Sequence, residues 1–275
     1  MMKRRDSERF AYIETCLYWS GGVTAPQLAE AFGIDRRNAQ TVIAQYREKY
    51  PQQLIYNEST KRHEPSESFQ PYFIKTDPHL YLDYLRGSYL VGKFIDYSTW
   101  TDLSVVNVDD SFRTAIDNQM VKSIINAVQL KQALIIEYHA KAKWHYLTIS
   151  PHRLVYASHR YHVRAYVHEW NNYIDVVLSR IYSVKPTEQF WVSDEGDEQW
   201  QTFIELKFQP NPALPEQFIN TLKIDYYDFS MDKSLLDKGL LIIKTRKALE
   251  GYILREMERA DWRYKMPLWI IRENH

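Results

Sequence analysis

The sequence predicts an α+β protein of several domains. Its order is a helical N-terminal domain with a hairpin, a helical connector, a small antiparallel β-barrel or strongly bent sheet, and an α+β tail. Three observations predict this. Up to residue 50 the apolar residues recur at helical spacing between clear cap signals. From residue 133 the period changes from 3.6 to 2, with five β-rich runs in about fifty residues. Beyond residue 200, strand-like and helix-like runs alternate. A chain of 275 residues has room for two or three domains. The pattern divides it into residues 1–75, 76–117, 118–193 and 194–275.

Residues 7–20 read as a first helix, with Phe10, Ile13 and Leu17 on one face and Gly21-Gly22 ending it. Thr24 is a good N-cap for a second helix, Pro26 suits its first turn, and Gln27 completes a capping box. Leu28, Ala31 and Phe32 are its expected apolar face, and Gly33 its stop. Asp35 caps a third helix with core positions Ala39, Val42, Ile43 and Tyr46. QLIYNESTKRHEP then reads as two short strands around an Asn-Glu-Ser-Thr turn.

Two short helices separated by a tight turn and followed by a hairpin give the winged helix-turn-helix order. In that arrangement the second helix of the pair enters the major groove and the hairpin lies along the backbone. Arg36, Arg37, Asn38, Gln40, Thr41 and Gln45 lie opposite the third helix's core face or at its edges. Arg suits guanine edges, and Asn and Gln suit adenine. Lys61, Arg62 and His63 in the hairpin suit phosphate, and Lys3, Arg4 and Arg5 form a basic arm. A solvated helix face carries the same residue types, and such modules also serve protein contacts.

HLYLDYLRGSYLVGKF reads as a connector helix, with Leu80, Tyr84, Leu85 and Tyr89 on one side, and the acidic stretch 98–110 after it as turn-rich. The connector is a candidate for pairing with a second copy of the chain. Residues 115–130 read as a helix with Ile116, Met120, Ile124 and Val128 aligned. The strand-like runs follow: ALIIEYH, KWHYLTIS, HRLVYAS, RYHVRAYV and YIDVVLSRI. In the fourth run Tyr161, Val163, Ala165 and Val167 suit a core. The other side carries Arg160, His162, Arg164, Tyr166 and His168. Residues 118–193 hold nine Lys/Arg against four Asp/Glu, and six of the nine histidines, in a chain whose total charge is zero. A local excess of this kind predicts an anionic partner.

Tyr138 in LIIEYH, then Pro151-His152-Arg153-Leu154-Val155-Tyr156, Arg160-Tyr161-His162-Val163-Arg164-Ala165-Tyr166 and Leu178-Ser179-Arg180-Ile181, in that order, resemble a WYL domain. The whole layout is similar to the BrxR/CapW-type repressors associated with phage-defence loci. The resemblance implies an Sm-like β-barrel and a nucleotide-like or nucleic-acid ligand. It maps the ligand positions onto Tyr138, His152, Arg153, His162, Arg164 and Arg180. It also implies a homodimer. The name-giving Trp-Tyr-Leu triplet is here Tyr161-His162-Val163, so a histidine able to charge near pH 6–7 stands on the ligand side. The same basic face also fits a solvated sheet with ion pairs to Glu137, Glu169 or Asp175.

Enzymatic readings find little support. His159 and His162 point to opposite faces of a strand and make a poor chelate. With eight glycines, the chain has no nucleotide-binding glycine loop. Asp109-Asp110 and the acidic cluster 194–198 are more simply solvated loops. No cofactor or metal is called for. The single cysteine, Cys16, excludes an intrachain disulfide and suits a buried structural role. No apolar run approaches the roughly 20 residues of a membrane helix, and the N-terminus lacks a signal-peptide pattern, so a cytoplasmic setting is expected. The expected function is a sequence-specific DNA-binding regulator, a homodimeric repressor acting on a palindromic operator and sensing an anionic effector. The alternative is an accessory protein that grips single-stranded nucleic acid, with the winged helix serving protein contacts.

Overall fold

The computed structural model describes residues 4–85, 111, 114–227, 230 and 232–272, excluding the side chains of Arg4 and Arg5. The connector stretch around Tyr89 and 98–110, with Asp109 and Asp110, lies outside the described residues, as does Lys3. The chain forms two compact units, Met1–Val192 and Ser193–His275.

In the first unit α1 (Arg4–Ser20), α2 (Ala25–Phe32) and α3 (Arg36–Lys49) precede a hairpin of β1 (Leu54–Asn57) and β2 (Arg62–Pro65). The caps follow the sequence. Thr24 and Gln27 exchange the reciprocal bonds of a capping box, and Gly33 closes α2 in the left-handed region at φ 59°. Asp35 accepts the Asn38 N–H at 2.9 Å to start α3. Val23 pairs with His63 in a single antiparallel bridge beside the hairpin, exchanging both backbone hydrogen bonds. That crossing demands glycine at residue 22, where φ is 157° and a Cβ would lie 2.8 Å from the His63 carbonyl oxygen.

Phe10, Ile13, Leu17, Leu28, Ala39, Val42, Ile43, Tyr46 and Leu54 make the core of this module. On α2 the expected apolar position Ala31 is exposed, and Ala25 and Leu28 are the buried residues. An eight-residue helix needs only a narrow stripe to cover its neighbours. At the centre sits a residue with no apolar character. Glu14 is fully buried and accepts the Tyr46 hydroxyl at 2.9 Å and the Tyr72 and Phe73 N–H groups at 2.9 and 2.6 Å. Burial raises its pKa against those bonds.

The rest of the unit is α4 (Pro78–Leu85), α5 (Asn118–Leu130) and a five-stranded antiparallel sheet. The sheet is built from β3 (Leu134–Ala140), β4 (Lys143–Ala157), β5 (Arg160–Val167), β6 (Asn172–Val177) and β7 (Ile181–Pro186), in the order β6-β5-β4-β3-β7. Five strands are present, but partitioned differently from the sequence reading. KWHYLTIS and HRLVYAS join into the single strand β4, with a register shift between Pro151 and Arg153. Proline cannot donate to a ladder, and a bulge accommodates it. YIDVVLSRI divides into β6 and β7 at a 3₁₀ turn, Leu178–Arg180. The ladders run from edge to edge, and none among the described residues joins β6 to β7, while the Val177 N–H of β6 donates to the Tyr138 hydroxyl of β3 as in a strongly bent sheet.

One side of the sheet packs on α1, α4 and α5. Ala11, Trp19, Tyr81, Leu82 and Ile124 share one continuous core with Ile136, Tyr138, Tyr161, Val163 and Ala165. Helix α1 therefore serves two cores, through Phe10, Ile13 and Leu17 on one side and Ala11 and Trp19 on the other.

The second unit holds α6 (Glu198–Gln201), β8 (Phe203–Pro210), α7 (Glu216–Asp225), α8 (Lys233–Asp237), β9 (Leu241–Arg246), α9 (Glu250–Met257) and β10 (Trp269–Ile271). Its three-stranded sheet runs β10-β8-β9, with a core of Leu206, Phe208, Leu222, Leu236 and Trp269. The strand-like and helix-like runs of the tail fall on these elements.

Candidate nucleic-acid interface and ligand site

Helix α3 divides into two faces. Ala39, Val42, Ile43 and Tyr46 are buried, whereas Arg36, Arg37, Asn38, Gln40, Thr41 and Gln45 are all exposed. Two of the exposed groups have local partners. The Asn38 side-chain amide donates to Asp35, and the Thr41 hydroxyl donates to the Arg37 carbonyl oxygen at 3.0 Å. Both are single bonds at the surface, so each side chain can exchange its partner for a base edge. No ion pair among the described residues holds Arg36 or Arg37.

The hairpin is less uniform. Lys61 is exposed at the turn and, among the described residues, pairs with Glu58 alone, at 3.0 Å, across the surface. Arg62 departs from the expectation of a phosphate contact. It is half-buried and donates to the Ser20 and Gly22 carbonyl oxygens, tying the end of α1 to β2. His63 is held in the strand pairing with Val23, and burial lowers its pKa.

On the sheet, strict alternation on β5 is confirmed for one side. Tyr161, Val163, Ala165 and Val167 are buried. The other side is covered as well: His162 is 4% exposed and Arg164 3%. Register aligns Arg153 of β4, Arg164 of β5 and Asp175 of β6 in one row. Arg164 pairs with Asp175 at 3.4 Å. The row carries two guanidinium groups and one carboxylate, in partial burial where charge interactions are strong. His162 lies in the neighbouring row, opposite Val155 and Val177.

Residues 190–192 strap over this end of the sheet. Trp191 Nε1 donates to the Pro151 carbonyl oxygen at 3.1 Å, and the Val192 N–H donates to Ser150 Oγ at 2.9 Å. His152 Nε2 meets the Val192 carbonyl oxygen at 2.8 Å, with its ring between those of Tyr173 and Trp191, 5.7 and 5.1 Å away.

These two sites coincide with two known domain types. Residues 6–87 match the family described as the BrxR transcriptional regulator winged helix-turn-helix domain, and residues 119–186 match the WYL domain. The chain therefore combines a BrxR-type winged helix-turn-helix domain with a WYL domain. Over 257 residues it is 26% identical to the DNA-binding transcriptional repressor CapW of Escherichia coli, covering 92% of this chain and 83% of that one. The CapW repressor of Pseudomonas aeruginosa is 24% identical over 266 residues, 93% of this chain and 85% of that one. A solved structure, the proteasome accessory factor PafBC of Arthrobacter aurescens, matches at 14% identity and a TM-score of 0.27, over 98% of this chain and 46% of its own length. A score that low does not align the folds.

Within the WYL domain the six mapped positions lie on β3, on β4 and β5, and on the 3₁₀ turn before β7. His152, Arg153, His162 and Arg164 share the β4–β5 region. Tyr138 is on the core side of the sheet, in line with Ile136 and Leu147, and its hydroxyl accepts the Val177 N–H at 3.3 Å. Arg180 is exposed on the 3₁₀ turn, with no ion pair among the described residues. His162 takes up a proton less readily than its residue type suggests. Burial lowers its pKa, outweighing the opposing pull of Asp175. Of the three acids weighed as ion-pair partners, Asp175 pairs with Arg164. Glu137 instead accepts the Tyr146 and Ser183 hydroxyls, and Glu169 accepts the Thr148 N–H. No local pattern marks the Trp191–Val192 strap, whose residues show neither strand nor helix period.

Proposed function

We propose that this protein is a sequence-specific DNA-binding transcriptional repressor. It would act as a homodimer on a palindromic or pseudopalindromic operator, with the WYL domain responding to a nucleotide or nucleic-acid effector. The observation that carries the reading is α3, whose outward residues are base-reading types while its inner face is fully packed. The relatives named as DNA-binding transcriptional repressors span most of the chain and support it. Two-fold symmetry would set the two α3 helices on successive major-groove faces about 34 Å apart.

The basic row Arg153–Arg164–Asp175, with Arg180 nearby in sequence, supports an anionic effector. An effector changes operator affinity only by binding one arrangement of the protein more tightly than another. By resemblance the regulated genes belong to a phage-defence locus, and the setting is the cytoplasm. A reporter driven by the promoter upstream of this gene tests the reading. Loss of the protein should raise expression, and the Gln40→Ala, Thr41→Ala double variant should do the same while remaining folded. Unchanged expression in both strains would refute repression.

A further inference from the structure

Helix α1 meets two cores, and the chain itself passes from one to the other at residues 73 and 74. Phe73 packs against both cores, and Ile74 belongs to the one that backs the sheet. Helix α4 begins shortly after, at Pro78. Glu14 holds this crossing point. Its Oε1 accepts the Tyr46 hydroxyl at 2.9 Å. The Tyr72 N–H reaches both carboxylate oxygens, at 3.0 and 2.9 Å, and the Phe73 N–H reaches Oε2 at 2.6 Å. No ion pair among the described residues meets this carboxylate. One side chain thus joins three segments: α1, the reading helix α3 and the chain that enters α4.

Packing alone does not ask for a carboxylate here. Burying one is unfavourable, and an apolar side chain would fill the space without that cost. What the carboxylate adds is direction, because a hydrogen bond weakens steeply away from its preferred length and angle. The rings of Phe10 and Tyr50 flank Tyr46 at 5.2 and 5.3 Å, but burial of apolar surface is non-directional. Tyr46 lies on the inner face of α3, and Arg37, Asn38, Thr41 and Gln45 lie on the outer one. An error in the helix angle at Tyr46 displaces all four together.

We propose that Glu14 is a positioning residue for DNA recognition, fixing the angle of α3 by holding the Tyr46 hydroxyl and the Tyr72–Phe73 backbone in one hydrogen-bonded group. The inference rests on the reading that α3 contacts bases. Base contacts need that alignment, whereas phosphate contacts carry no sequence information and tolerate its loss.

Two variants test it. Tyr46→Phe removes one bond and keeps the ring. Glu14→Gln keeps the pattern, since its amide oxygen can accept both N–H groups while its NH2 donates to the Tyr46 hydroxyl. Each full-length protein is titrated against labelled upstream duplex and labelled random duplex at about 150 mM salt, read by anisotropy. Tyr46→Phe should lower the preference for the upstream duplex about tenfold, the scale of one lost base contact. Its random-duplex affinity should match that of wild type. Glu14→Gln should keep the wild-type preference. A merely structural role would move the two affinities in step, because unfolded protein is lost to both duplexes alike, and that result would overturn the inference. So would an unchanged preference in Tyr46→Phe, or an equal loss in Glu14→Gln. Wild type without any preference would overturn the repressor reading, and this inference with it.

Discussion

Tyr161, on the strand that carries His162 and Arg164, donates its hydroxyl to the buried carboxylate of Asp83 on α4. Two residues earlier, Tyr81 stacks flat on Trp19 of α1, with ring centroids 4.6 Å apart and 2° between planes. Phe10, further along α1, meets Tyr46 of α3 edge to face at 5.2 Å. Packing is thus continuous from the WYL-domain strand β5 to helix α3. A strain on β5 has a physical path to α3, which is what an effector-coupled repressor requires.

Removing the Tyr161 hydroxyl should expose this link. Tyr161→Phe keeps the ring and loses a hydrogen bond to a charged group, so unfolding in urea should show a loss of about 2 kcal/mol. An unchanged midpoint would mean that the bond contributes nothing net.

Glu14 predicts a pH dependence of one sign. Its folded pKa is raised by burial above the ordinary value of 4.5. The folded protein therefore holds a proton that the unfolded chain releases. Stability from this site is present at low pH and is lost as pH rises through the folded pKa. Unfolding free energies of wild type and Glu14→Gln at pH 5 and pH 8 isolate the effect. Wild type should lose stability relative to the variant on going to pH 8, and a constant difference would contradict the assignment.

His162 predicts the opposite sign. Burial lowers its pKa below 6.5, so the folded state stays neutral where the unfolded chain takes up a proton. Its contribution is complete above pH 6.5 and is lost as pH falls through that value toward the folded pKa. Wild type should lose stability relative to His162→Phe between pH 7.5 and pH 5.5. Parallel curves would show that His162 is not desolvated.

Much of this was legible in the sequence, and the misreadings share a cause. Caps and periods are local, so Thr24, Gly33, Asp35 and the β5 alternation are readable directly. What covers an element is not local. His162 and Arg164 look like a solvated face because their covering depends on distant residues. Arg62 reads as a phosphate ligand because nothing near it in sequence shows that the Ser20 and Gly22 carbonyl oxygens will meet it. Glu14 has no neighbour in sequence that marks it as buried, because its partners arrive from residues 46, 72 and 73.

The two hairpin cations should therefore separate by experiment. Lys61→Ala should leave stability intact and lower the salt slope of DNA binding by about one. Arg62→Ala should cost about 1–3 kcal/mol of stability by leaving two carbonyl oxygens without their charged donor. If both variants changed only the salt slope, Arg62 would be a phosphate contact after all.

The ligand positions also divide. Arg164→Ala leaves Asp175 buried without its cation and should cost about 3–5 kcal/mol. A lost effector response in that variant would be ambiguous. Arg180→Ala, at an exposed site, should leave the thermal midpoint unchanged while weakening the effector response. A full response in Arg180→Ala would remove Arg180 from the site.

The central claim is that α3 reads a specific duplex sequence, and competition binding tests it most directly. Purified protein is offered the duplex from upstream of its own gene at about 150 mM salt, with random duplex and random single strand as competitors, because non-specific phosphate contacts otherwise mask specificity. The account predicts that the upstream duplex is preferred over random duplex by about a hundredfold or more. Equal affinity for the two duplexes would contradict it.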